Sequence, residues 1–198
     1  MLNDLTWFLS NFHFYIPALV IAFTVHEFAH AYVSFKLGDT GVKDDKRLSL
    51  NPINHIDPMG LLLLFIVGFG WAKPVVVNPS AYKNPVKGNM LVALAGPMSN
   101  FVLAFLAIIF HIIFIDTSLV MFFYYLWVIN IGLGIFNLIP IPPLDGSHIL
   151  GYFMKAESLK QYLENKWIGW VILMFIIMTD FMSYILTPIN EFIIKIIY

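Results

Sequence analysis

The chain has 198 residues and no cysteine. Disulfides, thiolate metal ligands and a thiol nucleophile are therefore excluded, and any metal must be held by His, Asp or Glu. Charge is almost as scarce. Charged residues make up 12% of the chain against 60% hydrophobic ones, and mean hydropathy is +0.81. Soluble domains carry about 25% charged and about 45–50% apolar residues, so a globule of this composition has too little polar surface for water. The chain reads as a polytopic membrane protein, and its length suits one domain over residues 1–198. A formal net charge of −1 and the lack of any basic block give no footing for nucleic acid. The first twelve residues hold no Lys or Arg, so the basic start of a cleavable signal is missing. The first span is expected to act as its own uncleaved signal. No internal repeat or low-complexity linker is visible.

A helix needs about 20 mostly apolar residues to cross the hydrocarbon core. Four segments qualify: Phe12–Phe35, Met90–Ile115, Leu119–Leu138 and Trp167–Leu186. A further apolar run, Gly60–Trp71, is short for a crossing, and Gly68, Gly70 and Pro74 argue against a continued helix. It is expected to form a re-entrant or β-hairpin element, with a strand at the β-branched run Val75-Val76-Val77. The expected class is thus all-α and polytopic, with about four transmembrane helices and this small element between the first and second. Ten of the eleven cationic residues then fall on one side, in the loops holding Lys36–Arg47, Lys73–Lys87 and Lys155–Lys166. By the positive-inside rule those loops face the cytoplasm and both termini face out. Asn190–Tyr198 is expected to be an interfacial helix.

One polar group interrupts the first span. His26-Glu27-Phe28-Ala29-His30 lies within Phe14–Phe35, where Glu27 is the only formal charge. Residues four apart share a helix face, so two imidazoles point at a common metal and the carboxylate stands beside its open position. That H-E-x-x-H arrangement suits zinc, with Glu27 as general base toward a water activated by the metal. At 1.5 Å per residue, His30 lies about 9 Å and His26 about 15 Å from Lys36, on the cytoplasmic half. A catalytic zinc usually takes three protein ligands. Asp145 is the best remaining candidate, because Pro140, Pro142 and Pro143 break the third span just before it. Asp145 also suits a helix N-cap, and His148 is an alternative ligand.

Further motifs follow in order: Asn51-Pro52-Ile53-Asn54-His55-Ile56-Asp57-Pro58-Met59-Gly60, Gly70-Trp71-Ala72-Lys73-Pro74-Val75, Ala95-Gly96-Pro97-Met98-Ser99-Asn100 and Phe136–Gly146. Together with the first motif they resemble the site-2 protease family of intramembrane zinc metalloproteases, over about Ala22–Leu150. The resemblance implies that His26, His30 and Asp145 hold one zinc ion, that Glu27 is the catalytic base, and that Asn137 belongs to the catalytic site. It implies single-span membrane proteins as substrates, cut within the bilayer, and the lack of a targeting peptide favours the plasma membrane. Many members carry a PDZ or CBS insertion. The chain has room for neither and resembles the minimal, core-only type.

Other polar residues invite plainer readings. Asn137 suits satisfaction of backbone freed by Pro140, and His55 and Asp57 suit turns. Gly96, Pro97, Ser99 and Asn100 are expected chiefly to allow close helix packing or a kink, with donation to the site as the lesser reading for Asn100. His13 and His111 are placed at the interface, and Asp180 is given no role. A metal transporter would have no use for a base at Glu27 and would tend to show a repeat. A non-catalytic scaffold would be expected to have lost Glu27.

Overall fold

A computed structural model describes residues 2–67, 70–164 and 166–198. Nine helices follow one another in those residues: α1 (Leu2–Lys36), α2 (Gly41–Asp44), α3 (Pro58–Val67), α4 (Pro85–Ile113), α5 (Val120–Leu138), α6 (Asp145–Gly151), α7 (Ala156–Glu164), α8 (Lys166–Met178) and α9 (Phe181–Ile197). Three are long and apolar enough to cross a membrane: Asn11–Lys36, Pro85–Ile113 and Val120–Leu138. Their boundaries follow local chemistry. Asn84 caps α4 by accepting the Lys87 N–H, and Pro85 fills the first helical position. Pro140 ends α5, since a proline there removes a helical donor.

These three helices form the core. Ala18 of α1 and Ala104 and Ala107 of α4 are buried against Tyr125, Leu126, Trp127 and Ile131 of α5. Small alanines let the backbones approach closely, which is how helices associate where lipid offers no hydrophobic drive. The outward faces remain apolar, with Val102, Phe105 and Ile113 on α4 and Val171, Phe175 and Met178 on α8 all exposed. Such a surface suits acyl chains and not water.

Direction can be read from the contacts. Asn100 of α4 reaches the Ala22 carbonyl of α1, while Val92 of α4 meets His30 farther along α1. The two helices therefore run antiparallel, and α5 returns alongside α1, with Tyr15 against Tyr125. The first half of α1 and the α4–α5 connection share one end of the bundle. The Leu37–Asn84 loops and Asp145 share the other.

Two expectations need correction. The fourth span, read as Trp167–Leu186, is not one straight helix. It is α8 and α9, bent by 56° at Thr179-Asp180. The Thr179 hydroxyl turns back onto the Ile176 carbonyl, and Asp180 opens the next helix. The pair counts as a fourth span only if the two halves cross together. Of Asn190–Tyr198, the residues up to Ile197 are helical within α9, but Ile193 and Ile194 pack on the core and Tyr198, the C-cap, meets buried His111 at 3.2 Å.

The second correction concerns the element between the first two spans. Among the described residues there is no strand, at Val75–Val77 or elsewhere, and Gly60–Val67 belongs to helix α3. Gly68 lies outside the described residues. The only β pairing among them is one isolated antiparallel bridge, Ile56 to Ala72. A strand at Val75–Val77 would need a partner ladder, and the backbone here is spent otherwise. Pro74 has no N–H, Val75 donates to Glu27 and Asn78 donates to Asp39. The result is an extended strap.

Candidate active site

Three side chains from α1 and α6 converge at the α4 surface. His26 and His30 stand one turn apart with their Nε2 atoms 3.0 Å from each other. Asp145, the first residue of α6, brings Oδ2 to 3.3 Å from His26 Nε2 and 3.4 Å from His30 Nε2. A tetrahedral ion with ligands at about 2.0–2.1 Å spaces its donor atoms about 3.3–3.4 Å apart. Both histidines are buried.

The proton positions show that these atoms need a cation. His30 Nδ1 meets the Val92 carbonyl at 2.8 Å, and a carbonyl can only accept. His26 Nδ1 meets Asn100 Oδ1 at 2.6 Å. In neutral rings both protons therefore sit on Nδ1, and both Nε2 lone pairs face the same point. Two such rings cannot hydrogen-bond to each other. Asp145 Oδ2 is buried there without a hydrogen-bond partner. Three acceptors with no donor between them are repulsive unless a proton or a metal ion joins them, and their number and spacing fit zinc.

Backbone shape makes room for this cluster. A Cβ on Gly96 would lie 2.5 Å from His30 Cε1 and 2.6 Å from His26 Cε1, so only glycine lets α4 pass. At Gly146 a Cβ would strike the Leu138 and Ile139 carbonyls, which brings α6 hard against the end of α5. The proline break thus turns the chain sharply enough to deliver Asp145.

Glu27, also buried, points elsewhere on α1, and its Oε2 accepts the Val75 N–H of the strap at 3.0 Å. The strap is fastened on both sides of that contact. Arg47 donates to the carbonyls of Asn54 (2.5 Å) and Lys73 (3.2 Å), and the Lys73 N–H donates to His55. Beyond Val75, Asp39 Oδ2 accepts the Asn78 N–H at 2.8 Å and the Ser34 hydroxyl at 2.9 Å. Ser34 in turn contacts the Tyr82 hydroxyl at 2.7 Å. Burial pushes the Tyr82 phenol up and the Asp39 charge adds to this, outweighing the Ser34 contact, so it remains a hydroxyl.

The remaining candidates stand apart. Asn137 donates to the Leu133 carbonyl of its own helix at 3.0 Å and makes no hydrogen bond to the His26–Asp145 group among the described residues. His148 faces the Asn89 amide at 3.1 Å. His55 is buried and meets the Ser49 carbonyl, and Asp57 caps the first turn of α3 through Met59 and Gly60. His111, placed at the interface by sequence, is buried against the Val120 carbonyl. Sequence reasoning missed Asn130, and for Asn100 it ranked packing above contact with the site. Both are completely buried and linked to His26. The available signal was an amide side chain in the middle of an apolar span.

Helices long and apolar enough to cross a membrane, with a possible His26-His30-Asp145 metal site among them, suit a multi-pass zinc metalloprotease. Similarity to known proteins agrees. The model of peptidase family M50 matches residues 111–179. YwhC of Bacillus subtilis is 36% identical over 190 residues, covering 91% of this chain and 87% of that protein. Rip2 of Mycolicibacterium smegmatis is 30% identical over 172 residues, 83% of this chain and 66% of that protein. Both carry zinc-metalloprotease names. A shorter match, 48% over 45 residues, is to Protease RseP of Photorhabdus luminescens, covering 23% of this chain and 19% of that protein. No solved structure matches. The chain belongs to peptidase family M50, the site-2 proteases.

Proposed function

We propose that this chain hydrolyses peptide bonds in the membrane-spanning segments of single-span membrane proteins, with His26, His30 and Asp145 as zinc ligands and Glu27 as general base. The observation that carries this reading is the convergence of three lone-pair donors at one buried point, with Glu27 next to His26 on the same helix. Zinc, when bound, polarises a water and the scissile carbonyl. Glu27 takes the proton from the attacking water and returns it to the leaving amine. Asn137 assists at the oxyanion, which requires its amide to leave the Leu133 carbonyl.

A helical substrate hides its carbonyls in its own hydrogen bonds, so it must unwind. The extended strap around Val76, whose side chain is 75% exposed, offers an edge for the unwound segment. The Ile56–Ala72 bridge closes the ends of the α3 region on each other, which supports a re-entrant element beside the site. The charge asymmetry of the loops supports a site on the cytoplasmic half of the membrane, which we take to be the plasma membrane. The test is co-reconstitution with a single-span membrane protein in liposomes. Cleavage by the wild type and none by Glu27→Gln, with zinc retained, is expected; equal cleavage by both would contradict the reading.

A further inference from the structure

A chain of buried amides runs from the backbone of α5 to His26. It begins at the Leu126 carbonyl, which accepts from Asn130 Nδ2 at 2.7 Å. That fixes which end of the Asn130 amide is oxygen, and Oδ1 faces Asn100 Nδ2, also at 2.7 Å. The Ala22 carbonyl of α1 accepts from the same Asn100 nitrogen at 3.3 Å. Asn100 Oδ1 is thereby turned toward His26 Nδ1, 2.6 Å away. Backbone carbonyls at Leu126 and Ala22 set every donor in the series, so the proton on His26 must sit at Nδ1. The opposite ring nitrogen is left free to bind metal.

We infer that Asn100 and Asn130 are positioning residues that set the tautomer and the ring direction of His26 for the metal; this rests on the reading of His26 as a zinc ligand. Packing alone does not account for them. Both side chains are completely shielded within an apolar three-helix core, where an amide is costly unless its groups are used. His30 needs no such relay, because the Val92 carbonyl of α4 meets it directly. At His26, one turn away along α1, a side chain supplies the acceptor instead. Asn130 holds that side chain from the third helix, so the relay also ties the metal ligand to the packing of α5.

The test compares zinc affinity and the side-chain 15N resonances of His26 in the detergent-purified full chain. Asn100→Leu keeps the volume and removes the acceptor. Asn100→Asp, as a carboxylic acid, offers the same acceptor and one donor. Positioning predicts that Asn100→Leu binds zinc about 10–100-fold more weakly, and that zinc-free protein shows a mixture of His26 tautomers. Asn100→Asp should stay within a few-fold of wild type and keep the Nδ1–H form. Asn130→Leu should give a smaller loss in the same direction, and serves if Asn100→Leu does not fold. A packing role predicts the reverse order, with Leu tolerated and Asp damaging, and that order would overturn the inference. Undisturbed zinc binding and tautomer in both Leu variants would overturn it too. His26→Ala separates the two levels. If it keeps full zinc affinity, the ligand reading itself is wrong; if it loses zinc while Asn100→Leu does not, only the relay fails.

Discussion

The backbone N–H of Val75 is hydrogen-bonded to Glu27 Oε2 at 3.0 Å, so the carboxylate proposed as the base is held by the strap that passes over it. This couples the proposed base to a segment distant in sequence. Val75→Pro deletes the donor and leaves the three ligand side chains untouched. A hydrogen bond to a charged group is worth about 1.5–3 kcal/mol, so hydrolysis should fall about tenfold or more while zinc content holds. Val75→Ala keeps the N–H and should stay near wild type. Parallel zinc and cleavage assays check both.

Gly96→Ala tests whether α4 sets the space for the metal ligands. The added methyl would overlap both imidazole rings, and such overpacking costs about 1–3 kcal/mol. Zinc affinity should drop at least about tenfold, because the rings can give way only by leaving their common point. Zinc titration against a competing chelator reads this directly.

Asp39→Ala unfastens the strap on its far side. Three donors lose their acceptor at once: the Ser34 hydroxyl and the N–H groups of Gly41 and Asn78. Of these only Ser34 is fully buried, and a buried group left unpaired costs about 1–3 kcal/mol. The expected outcome is faster limited proteolysis around Asn78–Tyr82 and reduced hydrolysis with zinc retained. Loss of zinc instead would mean that Asp39 supports the metal cluster itself.

How far these features were legible in the sequence depended on their range. His26 and His30 share a helix face because they are four apart, which needs no tertiary information. Asp145 could be proposed beside them because a two-histidine site calls for a third ligand and three prolines free the chain before it, and the structure brings it to both rings. Gly96 and Asn100 act across a helix interface on residues more than sixty positions away, and no local periodicity records that contact. The strand expected at Val75–Val77 came from β-branched composition, which describes a fit to a ladder that does not form here. The bend within the fourth candidate span was not legible for a related reason. The span's hydropathy is continuous, while the bend depends on where Thr179 and Asp180 send their hydrogen bonds.

The most direct measurement is zinc per chain in detergent-purified wild type, Asp145→Ala and Glu27→Gln. The account predicts about one zinc in wild type and in Glu27→Gln, since the base is not a ligand, and clear loss in Asp145→Ala. A folded wild type without zinc, or an Asp145→Ala protein that holds it as tightly as wild type, would contradict the account.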